Sequence, residues 1–131
     1  MMKKIFTPVL AGILIIIDQL IKWWVLNHPS FVSKNENLIF GFGQNLDLFF
    51  WIIIILSLSV MLLTIEKPGK HPIALSLIFA GLLSNFGDRL FRGGIVDYLK
   101  FPIVFHFAFN LADVFLFLGI IIYAYQVFRN K

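Results

Sequence analysis

Long apolar runs are the feature that most constrains this sequence, because a helix needs roughly 20 apolar residues to cross the hydrocarbon core of a bilayer. Four such runs predict membrane-spanning helices: Ile5 to about Leu26, Leu46 to Ile65, about Pro72 to Leu90, and Phe107 to Phe128. Only 14% of the 131 residues are charged, against roughly 25% in a soluble domain. We therefore predict an all-α membrane protein with a single domain over residues 1–131.

The segments that connect these helices predict where polar chemistry can lie. Two longer connections run over residues 27–46 and from Arg92 to about Phe105, and the second contains an alternating stretch from Ile95 to Phe101. Such alternation predicts a small extended or β element. An even number of spans places both termini on one side, and a slight excess of Lys and Arg favours the cytoplasm. Both longer connections are then predicted at the outer face.

Several classes of chemistry are excluded by composition. The chain has no cysteine, which excludes disulfides, thiol catalysis and Cys-ligated metals. Its three histidines are far apart in the sequence and form no zinc motif, so we predict no metal and no cofactor. The net charge is +4, but the basic residues flank apolar runs as topology signals do. We therefore predict no nucleic-acid partner.

Four acidic residues are predicted to lie in one layer of the membrane. Asp18, Asp88, Asp97 and Asp113 all fall near the outward ends of predicted helices or in an outward connection. Charged side chains within spans are energetically expensive and are usually paired or functional. Carboxylates that converge in this way are the only catalytic groups that the sequence clearly offers.

Helical spacing groups the polar residues within each span. Asp18 and Lys22 are four residues apart, and an ion pair within the helix near the membrane interface is the simplest interpretation. Asn85, Asp88 and Arg89 share one face of the third helix and predict a polar cluster, which could be structural or functional.

The start of the last predicted helix carries a second polar group. Asn110 is predicted to cap this helix, whereas Asp113 lies about one turn inside, where function explains it better than capping does. Asp97, taken alone, is predicted to be a solvated loop residue. The double glycine Gly93-Gly94 is expected to turn the chain sharply, so that Gly94→Val would reduce any activity that depends on Asp97.

Four blocks of sequence resemble lipoprotein signal peptidase, also called signal peptidase II, a bacterial aspartic protease family. Asp18-Gln-Leu-Ile-Lys22 is similar to the family's Asp-Gln-x-x-Lys, and Asn35–Gly41 to Asn-x-Gly-x-Ala-Phe-Gly. Asn85-Phe-Gly-Asp-Arg89 with Gly94-Ile-Val-Asp-Tyr98 resembles Asn-x-x-Asp-Arg followed by Gly-x-Val-x-Asp-Phe. Phe109-Asn-Leu-Ala-Asp113 resembles Phe-Asn-x-Ala-Asp. The blocks follow the family's order and cover nearly the whole chain.

Several positions depart from the pattern of this family, among them two in the second block and one before the third. Asn37 replaces the usual Gly of the second block, and Ile39 replaces its usual small residue. Ser84 stands where a Gly often precedes the Asn of the third block.

The resemblance implies a site, a substrate and a location. Its catalytic aspartates match Asp97 and Asp113, and its other polar site residues match Asp18, Asn35, Asn85, Asp88, Arg89 and Asn110. It implies a monomer in the bacterial plasma membrane, surrounded by lipid, with its active site near the outer face. The implied substrate is a prolipoprotein whose cysteine already carries diacylglycerol, and the cut falls before that cysteine.

The residues themselves leave two other functions open. A small four-helix transporter would use Asp18 or Asp113 as a proton-coupled carboxylate. A non-enzymatic membrane subunit would use its acids only to pair with Lys22, Arg89 and Arg92. Two neighbouring carboxyls that share one proton fit hydrolysis best, because one can act as a base while the other acts as an acid.

Overall fold

The computed structural model describes residues 2–28, 54, 56–61, 70–92, 94–101 and 107–131, without the side chains of residues 2–4, 89, 101 and 107. Three long helices are present in this part of the chain: α1 (Met2–Leu26), α2 (Pro72–Arg92) and α3 (Leu111–Arg129). Two short strands, β1 (Leu99–Phe101) and β2 (Phe107–Phe109), lie between α2 and α3 in the sequence.

All three helices are long and apolar enough to cross a membrane over Ile5–Leu26, Pro72–Arg92 and Leu111–Arg129. Large apolar side chains such as Phe91 and Phe117 are exposed on the molecule, as expected for surfaces that face lipid. Most of the predicted second span lies outside the described residues. The part of it that is described includes residues 56–61, which are helical. The structure therefore confirms a mostly helical membrane fold with three candidate spans.

The contacts at both ends of α2 define the direction of its neighbour α1. Near the start of both helices, the Ser76 hydroxyl donates to the Thr7 carbonyl oxygen at 3.1 Å. Further along both helices, Gln19 Nε2 donates to Ser84 Oγ at 2.9 Å. Both chains advance in the same direction between these contacts, so α1 and α2 are parallel.

Helix α3 packs against α2 through small residues. A Cβ atom added at Gly81 would lie 2.8 Å from the Cβ atom of Leu116, and one added at Gly119 would lie 2.8 Å from Ile78 Cγ1 and 2.9 Å from the Ala74 carbonyl oxygen. Small residues permit this close approach of two helices within lipid. We call this contact the small-residue seam. It consists of the small residues Ala74, Gly81 and Gly119 and of Ile78 and Leu116, which pack against the two glycines.

The two strands pair in antiparallel fashion, so that β1 lies beside β2, the segment just before α3. The register places Leu99 opposite Phe109 and Phe101 opposite Phe107. The predicted extended piece is thus present but shorter than expected, since it begins at Leu99 and leaves Asp97 just before the strand.

The predicted start of the last helix at Phe107 is wrong. Residues Phe107–Phe109 form a strand, and the helix begins at Leu111. The physical reason is the backbone of Asn110, which is extended at φ −134° and ψ 176° and caps the helix. The apolar run alone concealed this boundary.

Candidate active site

Polar side chains are buried where the ends of α1 and α2 meet the start of α3. Fully buried side chains here belong to Asp18, Lys22, Ser84, Asp88 and Asn110. The charged residues among them, Asp and Lys, are almost never fully buried in proteins unless they are paired. We call the following set the polar cluster: Asp18, Gln19, Lys22, Ser84, Asn85, Asp88, Arg92, Asp97, Tyr98, Asn110 and Asp113.

Two carboxylates and two cationic side chains alternate through the middle of the polar cluster. Lys22 Nζ lies 2.7 Å from Asp18 Oδ2 and 2.7 Å from Asp88 Oδ2, and all three side chains are fully buried. Arg92 Nη1 completes the series at 2.5 Å from Asp88 Oδ1. The ion pair predicted within α1 is confirmed, and Lys22 also joins α1 to α2 through Asp88, which the helical spacing did not predict.

Asn85 connects these charges to the first turn of α3. Its Oδ1 accepts hydrogen bonds from Lys22 Nζ at 3.1 Å and from Asn110 Nδ2 at 3.0 Å. Its Nδ2 donates to Asp113 Oδ1 at 2.7 Å. One amide therefore links side chains of all three helices.

Asp113 takes part in a reciprocal cap with Asn110. The Asp113 backbone N–H donates to Asn110 Oδ1 at 3.0 Å, and Asp113 Oδ2 accepts the Asn110 backbone N–H at 3.0 Å. The expectation that capping is a poor explanation for Asp113 is therefore wrong, since this is a capping box. The same carboxylate also accepts the Asn85 amide, so it caps the helix and belongs to the polar cluster.

Asp97 lies on the loop before β1 and faces the same turn. Its Oδ1 accepts a hydrogen bond from Asn110 Nδ2 at 3.1 Å, so Asn110 contacts both Asp97 and Asp113. Burial, and next the Asp113 carboxylate, raise the pKa of Asp97 from its ordinary 3.8 to about 7, against the opposing effects of Lys22 and Asn110. Asp97 is thus not the solvated loop residue that its sequence context alone predicts.

Asp18 accepts hydrogen bonds from two hydroxyls that the sequence reasoning missed. Ser84 Oγ donates to its Oδ2 at 2.6 Å, and the Tyr98 phenol donates to its Oδ1 at 3.2 Å. The Ala112 backbone N–H also donates to Oδ1 at 3.2 Å. Ser84 lies one turn before Asp88 on the same helical face, a signal that could have identified it. No comparable signal identified Tyr98.

Gln19 is a further member that the sequence reasoning passed over. Its Nε2 donates to Ser84 Oγ and to Asp88 Oδ1, both at 2.9 Å. Its Oε1 accepts a hydrogen bond from Arg92 Nη1 at 2.8 Å. The side chain therefore joins α1 to α2 beside the Lys22 bridge.

Three sequence predictions fall wholly or partly beyond the described residues. Asn35 lies outside them, and Arg89 belongs to α2 but its side chain lies outside the description. Gly93 also lies outside them. The chain bends at Gly94 after α2, but the expectation that this turn needs glycine there is wrong, because the φ of Gly94 is not in the left-handed region and an added Cβ would meet nothing within 4 Å.

Within the described residues, no group of three or more His, Asp or Glu side chains is arranged to hold a metal ion. The carboxylates of the polar cluster are instead bound by ammonium, guanidinium, amide and hydroxyl groups. Three helices long enough to cross a membrane, with buried carboxylates clustered at one end, describe a multi-pass membrane protein. The sequence model of the family described as signal peptidase (SPase) II matches residues 10–129, so the chain belongs to this family of membrane proteases.

Known relatives agree with this assignment over most of the chain. The lipoprotein signal peptidase of Streptococcus agalactiae serotype V is 34% identical, with 92% of this chain and 90% of the relative covered. That of Clostridioides difficile is 34% identical, with 82% and 84% covered. A solved structure of a bacterial membrane enzyme is similar at a TM-score of 0.71 and 26% identity, covering 95% of this chain and 88% of that one. The chain is therefore a multi-pass protease of the bacterial membrane, and the transporter alternative is not favoured.

Proposed function

We propose that this chain removes the signal peptide of diacylglyceryl-modified prolipoproteins by cutting before the lipidated cysteine, with Asp97 and Asp113 as its catalytic pair. The observation that carries the proposal is Asn110, which hydrogen-bonds to both acids at the start of one helix. Membership of the signal peptidase II family supports the substrate.

Different surroundings divide the roles of the two acids. Both oxygens of Asp113 accept N–H groups, from the Asn85 amide at 2.7 Å and the Asn110 backbone at 3.0 Å. N–H donors favour the ionised form of a carboxyl, and Asp97 accepts only the Asn110 amide among the described residues, so we assign Asp113 as the base of the pair. The pKa of Asp97 is raised to about 7 by burial and then by Asp113, so Asp97 carries the shared proton and serves as the acid.

The reaction then needs only water and these two groups. Asp113 takes a proton from water as the water oxygen attacks the scissile carbonyl carbon, and Asp97 donates its proton to the developing oxyanion. The tetrahedral intermediate collapses when its carbon–nitrogen bond breaks and the leaving amine receives the proton held by Asp113. The hydroxyl that formed on the carbonyl oxygen returns its proton to Asp97, which regenerates the starting pair.

The rest of the polar cluster holds this pair in place. Asn85, Asn110, Asp18 and Asp88 are the supporting residues, and the resemblance adds Asn35 and Arg89 to them. The lipid chains of the substrate remain in the bilayer, while its scissile bond lies at the level of the polar cluster. We infer that the enzyme acts as a monomer.

The parallel arrangement of α1 and α2 supports a fourth span. Both helices end at the polar cluster, so the chain must return to the opposite end between Leu26 and Pro72. The apolar run from Leu46 to Ile65 is long enough for that crossing. We therefore infer one four-helix domain over residues 1–131, with cytoplasmic termini and an active site near the outer face of the plasma membrane.

The decisive experiment is cleavage of a synthetic precursor that carries a diacylglyceryl cysteine, with purified enzyme in detergent–lipid micelles. Asp97→Asn and Asp113→Asn should each abolish cleavage while both variants melt near the wild-type temperature. The same precursor without its lipid is the matched substrate control and should remain uncut.

The pH profile tests the acid assignment separately. Cleavage by the wild-type enzyme should fall as pH rises through about 7, because Asp97 then loses the proton that it must donate. Substantial cleavage by either folded Asn variant would remove that residue from the pair. A rate that rises through neutral pH would reverse the assigned roles.

A further inference from the structure

Tyr98 contacts three segments of the chain at one point. Its backbone N–H donates to the Phe109 carbonyl oxygen at 3.1 Å. Its phenol oxygen accepts the Leu111 backbone N–H at 3.1 Å and donates to Asp18 Oδ1 at 3.2 Å. This half-buried residue therefore joins the loop before β1 to α1 and to the first residue of α3.

The two proposed catalytic acids lie on either side of these contacts. Asp97 immediately precedes Tyr98, and Asp113 follows Leu111 by two residues. Asp113 is fixed by its helix and its capping box, whereas Asp97 lies on a loop. Whatever fastens Tyr98 to the start of α3 therefore fixes the backbone of Asp97 relative to Asp113.

We propose that Tyr98 is a positioning residue, whose phenol sets the separation of the Asp97 and Asp113 carboxyls by fastening the Asp97 loop to the first turn of α3. The inference rests on the proposed assignment of these two acids as the catalytic pair. It assigns a role in the reaction to a residue that does not itself touch the scissile bond.

The chemistry of the phenol suits this role. Burial raises the pKa of Tyr98 above its ordinary range, so the hydroxyl keeps its proton and can donate to Asp18 while it accepts from Leu111. The Leu111 N–H belongs to the first turn of α3, where backbone donors have no partner within the helix. Removal of the hydroxyl leaves this N–H unpaired and releases the Asp97 loop from Asp18.

The test is Tyr98→Phe in the same lipidated-precursor assay. The family pattern has Phe at this position, so the variant is expected to fold, and the loss should be partial. We expect kcat to fall about tenfold, because small displacements of reacting groups reduce rates steeply. KM should change by less than about twofold, since the phenol is not expected to touch the substrate.

The pH profile supplies a readout that a merely structural role would not change. Among the described side chains, the charged groups that act on Asp97 are Asp113 of α3, Lys22 of α1 and Asp88 of α2. When the two acids move apart, Asp113 raises the pKa of Asp97 less, so the alkaline limb of the kcat profile should move to lower pH. The position of this limb does not depend on the fraction of protein that is folded.

Two variants serve as matched controls. Ser84→Ala also removes a hydroxyl that donates to Asp18, but it leaves the Leu111 contact intact, so kcat should fall less than with Tyr98→Phe and the limb should stay in place. Tyr123→Phe removes the hydroxyl of a tyrosine whose ring contacts His71, away from the polar cluster. It should leave kcat and the position of the alkaline limb unchanged.

Each remaining outcome has a defined meaning. Wild-type kcat and an unmoved limb in Tyr98→Phe would overturn the positioning role, as would equal losses in Tyr98→Phe and Ser84→Ala. Cleavage that persists in Asp97→Asn would instead overturn the proposed pair, whatever Tyr98→Phe shows.

Discussion

Helix α2 meets its neighbours in two different ways along its length. Near its start, at Ala74, Ile78 and Gly81, it approaches α3 so closely that an added methyl group has no room. Near its end, from Ser84 to Arg92, it is joined to α1 and α3 by hydrogen bonds and ion pairs. Because lipid is as apolar as the helices, close packing and hydrogen bonds must supply the association. The seam brings the helices together, and the polar cluster fixes the positions of particular atoms.

Removal of the cation at the centre of the polar cluster should have the largest effect on stability. Lys22→Met leaves Asp18 and Asp88 buried without their shared ammonium group. We expect a loss of about 3–5 kcal/mol in the free energy of unfolding, because an uncompensated buried charge is strongly destabilising. Unfolding by sodium dodecyl sulfate, followed by circular dichroism, measures this change.

A second substitution checks that charge, rather than packing, causes the loss. Arg92 still pairs with Asp88 in the Lys22→Met variant, so Asp18 is the carboxylate left without a cation, and the double variant Lys22→Met/Asp18→Asn should recover part of the lost stability. An unfolding curve for Lys22→Met that matches the wild type would mean that the polar cluster contributes little to holding the helices together.

The seam predicts a smaller loss with a different signature. A Cβ atom at Gly119 would lie 2.8 Å from Ile78 Cγ1 and 2.9 Å from the Ala74 carbonyl oxygen. Gly119→Ala should therefore lower the free energy of unfolding by about 1–3 kcal/mol through overpacking, while kcat per folded molecule stays near the wild-type value. Gly12→Ala in α1 is the control, because its Cβ would meet nothing within 4 Å.

The same pair of measurements tests whether the seam and the polar cluster have separate roles. A Gly119→Ala enzyme that unfolds normally but loses kcat would show that the seam, and not the polar cluster alone, sets the geometry of the acids.

The smallest effect is expected at Gly94, which belongs to neither region. Gly94 is exposed to solvent, a Cβ atom added there would have free space, and the φ angle of Gly94 lies outside the left-handed region. Gly94→Val should therefore leave kcat within about twofold and the melting temperature unchanged, since surface substitutions away from special features change stability little. A loss of kcat near a hundredfold in this variant would show that the loop geometry depends on glycine after all.

Apolar runs predicted the three long helices that the described residues show, but not every helix boundary. Residues 5–26 and 72–90 were predicted closely because lipid requires long, uninterrupted helices there. Phe107–Phe109 was assigned to the last helix because its apolar character is equally compatible with a strand. The extended backbone of Asn110 and the pairing with β1 decided that boundary, and neither is visible in hydropathy.

The sequence predicted which residues belong to the polar cluster better than it predicted which of them contact one another. Helical spacing grouped Asp18 with Lys22 and Asn85 with Asp88, because residues three or four positions apart share one face of a helix. The bridge from Lys22 to Asp88 depends on how α1 and α2 pack, which no local spacing encodes. The role of Tyr98 depends on a contact with the start of another helix, so a single sequence carries no sign of it.

The charge series of the polar cluster bears on how the protein is inserted into the membrane. Within α1, Asp18 and Lys22 already form a pair, and within α2, Asp88 and Arg92 form another. Each helix can therefore enter the bilayer with its acidic side chain already paired, although Lys22 and its α2 partner Asn85 are 63 positions apart in the sequence. Biogenesis does not have to wait for the partner helix, and only the later meeting of α1 and α2 gives Lys22 its second carboxylate.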